Sequence, residues 1–167
     1  MRCPPHGLLN RLVEALHLYP CDLLFVHRDA EAASPDDRLG EIESAISQLR
    51  EDAPAWVPVV PVRMLEAWFL RDEMAIRKAA GNPGGAMALE LPLFAQLERV
   101  PDPKAVLRRA ILAASGLNRR RQNSVRTGYL LHRIAELCED FSILNDLPAF
   151  ARFMTALARV IAEHNFR

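Results

Sequence analysis

Asp29 and Glu31, in the stretch "LLFVHRDAE" (23–31), follow directly on four apolar residues and stand beside His27 and Arg28. Two carboxylates two positions apart at the end of an apolar run suit a hard divalent cation. Mg²⁺ takes oxygen ligands and is usually held through one or two carboxylates, water and substrate phosphate. His27 and Arg28 alternate across the strand, so one of them faces inward; a hydrogen-bonded core or rim histidine accounts for His27 without ligation. A second acidic pair, Glu66 and Asp72, lies in "LEAWFLRDEMAIRKAAG" (65–81). Asp72 falls at helical spacing with Leu65, Phe69 and Ile76. A carboxylate on such a stripe is costly unless it is paired or binds a metal, and Arg63 is the structural partner that would answer it. Glu66, in the first turn after a strand, either complements a helix dipole or takes part in a site.

The basic stretch "NRRRQNSVR" (118–126) holds Arg119, Arg120, Arg121 and Arg126, with Lys104, Arg108 and Arg109 on the helix before it. The planar guanidinium fork matches phosphate oxygens, so these four arginines are the candidate phosphate-binding residues and nucleic acid the candidate partner. No aromatic residue is interleaved in the loop, so base stacking is not implied; a solvated charge run is the alternative. The "HRD" triplet does not make a protein kinase, because the Gly-rich loop, the following Asn and the Asp-Phe-Gly segment are missing. No Walker loop, dinucleotide fingerprint, zinc spacing or nucleophile motif occurs. Cys138 sits on the apolar side of a helix and reads as a packing residue.

These side chains need elements to position them. "DLLFVHR" (22–28) is too short and too apolar for anything but a buried strand, and "WVPVVPVRM" (56–64) is a second strand, edge-like because of Pro58 and Pro61. Helices are expected at 8–19, from a Ser34 cap with Pro35 at the first position, at 65–81 closed by Gly81, from Pro103 to Gly116, over 129–140, and from Pro148 onward. Residues 117–128 read as loop. Strand, helix, strand and helix in the first half indicate an α/β fold with a small parallel sheet. The expected organisation is one domain over residues 1–167, with an α/β core at 1–81 and a mainly helical part at 82–167.

The length of 167 residues supports a real core, and the formal net charge of zero gives no global attraction to polyanions. Three scattered cysteines fit a reducing cytoplasm better than a disulfide framework. No signal peptide is evident, and no apolar run approaches the roughly 20 residues that span a bilayer.

"DLLFVHRDAE", "VPVVPVRMLEAWFLRDEMAIRKAAGNP", "DPKAVLRRAILAASG" with "NRRR", and "DFSILNDLPAFARF" occur in order. Together they resemble a bacterial domain-of-unknown-function family that looks TOPRIM-like. The resemblance implies Mg²⁺-dependent phosphodiester processing on nucleic acid, as in topoisomerases, primases and related nucleases. Asp29, Glu66 and Asp72 would be the catalytic acids, with Asp29, Glu31 and Glu66 holding the metal. The family opens with a strand followed by "EG", and no such segment precedes Leu8. The expectation is therefore a TOPRIM-like sheet truncated at its N-terminus. The chain would be a nuclease-like protein or a degenerate relative of one. The alternative is a non-enzymatic interaction module of a defence or toxin-antitoxin type system. An open strand edge implies a homo-oligomer.

Overall fold

The computed structural model describes residues 7–31, 33–49 and 53–166. Cys3 and the end of the second expected helix, at residues 50–52, lie outside the described residues. The fold is mixed α/β and rich in helix, and it packs as two compact units, Met1–Val60 with Pro148–Arg167, and Pro61–Leu147. The boundaries between these units fall after Val60 and after Leu147. The helix expected over 65–81 lies in the second of these units, and the last helix of the chain lies in the unit that holds the strands.

The first unit contains α1 (Leu8–Leu18), β1 (Leu23–His27), α2 (Pro35–Ile46), β2 (Ala55–Val59) and the final helix, α8 (Pro148–His164). β1 and β2 pair in parallel, Leu24 opposite Trp56 and Val26 opposite Pro58, and they are the strands of this sheet among the described residues. Successive side chains point to opposite faces. Leu24, Val26 and Trp56 pack with Leu12 of α1 and with Ile42 and Ala45 of α2. Phe25 turns the other way and meets Phe153 of α8, ring centroids 6.3 Å apart. Both faces of the sheet are therefore covered, as parallel pairing requires. β2 stops at Val59 rather than reaching residue 64. Pro58 is tolerated because the Val59 carbonyl accepts from the Arg28 N–H at 3.0 Å. The alternate residue then turns its ring nitrogen to the outer edge, where no ladder bond is lost.

α2 begins where a complete capping box dictates. The Ser34 hydroxyl accepts from the Asp37 N–H at 3.0 Å, and the Asp37 carboxylate accepts from the Ser34 N–H at 3.2 Å.

The second unit contains α3 (Glu66–Phe69), α4 (Glu73–Ala79), α5 (Pro103–Ala114), α6 (Arg119–Gln122) and α7 (Thr127–Leu137). The single helix expected over 65–81 is broken. Asp72 is the N-cap of α4, its carboxylate accepting from the Ala75 N–H at 2.8 Å. Aspartate competes for backbone N–H groups and so favours caps over helix interiors. The same reason puts a helical turn, α6, inside the expected loop 117–128: the Asn118 side chain accepts from the Arg121 N–H at 3.1 Å. α4 is closed by Gly81, two residues past its last helical position, at φ +76°. The Gly81 N–H bonds the Lys78 carbonyl and the Asn82 N–H bonds the Arg77 carbonyl, the paired closure that a left-handed residue permits. Ile76, Leu97, Leu107, Ile111 and Ile134 form the buried interior of this unit. Arg77, only 6% exposed, donates to Glu73 and to the Met87 carbonyl at 2.7 Å, tying down the loop after Gly81. No helix among the described residues is long and apolar enough to cross a membrane.

Candidate functional site

The end of β1 is a charge network rather than an acidic lip. The Asp29 carboxylate lies 2.9 Å from His27 Nε2. Arg28 reaches Glu41 of α2 at 2.9 Å, and Arg38 reaches the same carboxylate at 2.7 Å. The hydrogen bond from Arg28, helped by the charge of Arg38, holds the Glu41 carboxyl below the usual range. Of the ionisable residues after the apolar strand, Arg28 is met by α2, thirteen positions on, while His27 and Asp29 meet each other. Glu31 is exposed and sits at φ 50°, in the left-handed region. Nearby in the same unit, α2, β2 and α8 enclose a groove of ≈ 640 Å³, lined by Leu39, Trp56, Pro58, Val60, Phe153 and Ala156 among others. The Arg152–Asp36 ion pair, 2.9 Å, borders it. This groove is chiefly apolar, with Asp36, Glu43, Arg152 and Arg159 as its charged lining residues.

Glu66 and Asp72 belong to the second unit. Glu66 opens α3, where a carboxylate complements the helix dipole. Asp72 borders a small polar cleft of ≈ 230 Å³ with Arg71, Lys78, Glu139 and Asp140. Its charges are largely matched already. Lys78 pairs with Glu139 at 3.1 Å, and Arg71 donates to the Asp140 carbonyl at 3.1 Å. Asp140 accepts from the Ser142 N–H and hydroxyl, which hold its carboxyl below the usual range. Burial first, and then the charge of Asp72 and a hydrogen bond to it, push the Cys138 thiol up to about 11. A thiol held there is protonated at neutral pH and does not act as a nucleophile.

The resemblance implies Mg²⁺, and the donor chemistry can be tested against it. Among the described residues no three His, Cys, Asp or Glu side chains gather where one ion would bind them. Within the first unit Asp29 is joined to His27, and within the second Asp72 is committed to the α4 cap and the Cys138 thiol.

The third candidate set is organised differently. Arg119, Arg120 and Arg121 are exposed on α6, and Arg126 is exposed as the residue just before α7. Gln122 anchors this turn by donating to the Leu117 carbonyl at 3.0 Å, and Ser124 donates to the Arg121 carbonyl at 2.7 Å. α5 and α7 flank a groove of ≈ 280 Å³, with Lys104 and Arg108 on one side and Thr127, Gly128 and Leu131 on the other.

No family model, curated protein or solved structure matches the chain.

The basic block extends well beyond the loop that the arginine run marks. Residues 99–133 carry nine Lys and Arg and a single acidic residue, Asp102. Arg99, Lys104, Arg108, Arg109, the four loop arginines and Arg133 are all exposed. Tyr129, in the first turn of α7, is exposed among them. The signal for Tyr129 was present in the sequence, one turn past Arg126, but it becomes visible only if the charge count runs past the loop into α7.

Proposed function

We propose that this protein binds nucleic acid through the basic face of its second unit, as a TOPRIM-related interaction module. The observation that carries this is the concentration of nine exposed cations against one acid over residues 99–133, in a chain whose formal net charge is zero. A local field of one sign attracts a polyanion even when the whole molecule is neutral. The TOPRIM-like resemblance supports nucleic acid over other polyanions. The partnering of Asp29 and Asp72 inside their own units supports a module that relies on its cations, not a self-sufficient Mg²⁺-dependent nuclease. The free thiols Cys21 and Cys138 suit action in a reducing cytoplasm.

A second observation supports a homo-oligomer. Among the described residues no strand pairs with the outer edge of β1, and Phe25 on that strand is 49% exposed. Unpaired edges beside apolar side chains invite another strand.

The test of nucleic-acid binding is fluorescence anisotropy with labelled DNA and RNA across a salt series, in EDTA and in Mg²⁺. Binding is expected at low salt in both. Replacing Arg119, Arg120 and Arg121 by Gln weakens it and flattens the log–log salt slope by about one unit for each phosphate no longer neutralised. Absence of wild-type binding at low salt sinks the reading.

A further inference from the structure

The face that the proposed function assigns to nucleic acid carries one group that phosphate binding does not explain. Tyr129 is 68% exposed. The other exposed aromatic of the second unit, among the described residues, is Phe141 at 37%, and it follows Glu139 and Asp140, whose charge repels phosphate. Tyr129 has the opposite surroundings. Arg126 lies just before the first turn of α7, and Arg133, four positions on, shares a strip of the helix with Tyr129, its guanidinium also paired with Glu136 at 2.7 Å. Residues of the same first turn, Thr127 and Gly128, border the groove whose far side is Lys104 and Arg108.

We infer that Tyr129 is a stacking platform for an unpaired base, so that this face takes single-stranded rather than duplex nucleic acid; the inference rests on the nucleic-acid reading of that face. In a duplex the flat faces of the bases are covered by their neighbours, and a tyrosine on a convex helix surface meets only backbone. A single strand exposes those faces, and an aromatic ring flanked by cations holds a base while its neighbours hold the phosphates. Stacking tolerates any base, because every base has a π face, so little sequence preference is expected. The tyrosine ring suits the task, being flat and rigid, with two side-chain torsions to order on binding.

The experiment compares a labelled single strand with a blunt duplex of equal length, at low salt, using the full chain. Wild type is expected to favour the single strand. Tyr129→Ala should weaken single-strand binding by about tenfold, the order of one base–aromatic stack, and leave duplex binding unchanged. Tyr129→Phe and Tyr129→Trp should retain it, since the ring and not the hydroxyl stacks. Tyr129 is exposed, so circular dichroism of the variants should match wild type. If Tyr129→Ala binds the single strand as wild type does, or if wild type prefers duplex while the arginine variants still bind more weakly, the stacking role is wrong and the nucleic-acid reading stands. If wild type binds neither form, both fall.

Discussion

Asp72 separates α3 from α4, and its carboxylate answers both the Ala75 N–H and the Cys138 thiol. Removing it leaves an N-terminal donor of α4 without its side-chain acceptor, a loss of about 1 kcal/mol for a typical cap. It also withdraws a negative charge from the thiol. Asp72→Ala is therefore expected to lower stability to urea by about that amount and to bring the Cys138 pKa down. The sign of the pH dependence follows from linkage. The folded state holds the Cys138 proton up to about 11 against an ordinary value of 9.0. Its contribution is fully present below the ordinary value and is lost as pH rises through the folded one. Wild-type stability should fall between these two values by more than that of Cys138→Ala. Equal slopes for the two proteins would show that the thiol is not held. At the end of β1, His27 Nε2 stands 2.9 Å from the Asp29 carboxylate.

At the scale of elements, the sheet has two covered faces and, among the described residues, no further strand on the outer edge of β1 or of β2. α1 and α2 bury Val26, and α8 brings Phe150 and Phe153 against the other face, the two rings 5.7 Å apart and edge to face. Coverage of the faces does nothing for the main-chain groups on the outer side of β1. Phe25, half exposed beside them, adds apolar area to any pairing there. Sedimentation at micromolar concentration should give a mass above the 18.8 kDa of one chain. Phe25→Lys, which puts a charge on that edge, should return the protein to monomer, because edge lysines block strand addition. A wild type that sediments as a monomer removes the β1 edge as an interface.

For the molecule as a whole, the decisive quantity is the distribution of charge. Lys and Arg equal Asp and Glu at 21 each, yet nine of the cations and one of the acids lie in residues 99–133. The remainder of the chain is correspondingly acidic. A protein of pI ≈ 7.0 with evenly mixed charge has little affinity for a cation exchanger at neutral pH. This one should be retained at low salt through its basic face, and the Arg119, Arg120 and Arg121 to Gln variant should elute earlier. Flow-through of the wild type would mean that the face is neutralised by its surroundings.

Element starts were legible because they are written within a turn or so of the chain. Ser34 with Pro35, Asp102 with Pro103, and Pro148 each marked a helix beginning, since caps and fixed proline torsions act locally. The short apolar run made β1 recognisable for the same reason. The break at Asp72 was not legible, because helical periodicity runs through it and the cap prevails in the competition for backbone donors. Nor was the return of α8 to the sheet, more than eighty positions after β2, or the meeting of Arg28 and Arg38 at Glu41. By itself the sequence determined the α/β class, the basic block and the open-edged pair of strands. Tertiary structure alone decided which carboxylates are already partnered and that Tyr129 is exposed beside the cations, because burial and pairing depend on residues brought together by packing, which no local rule specifies.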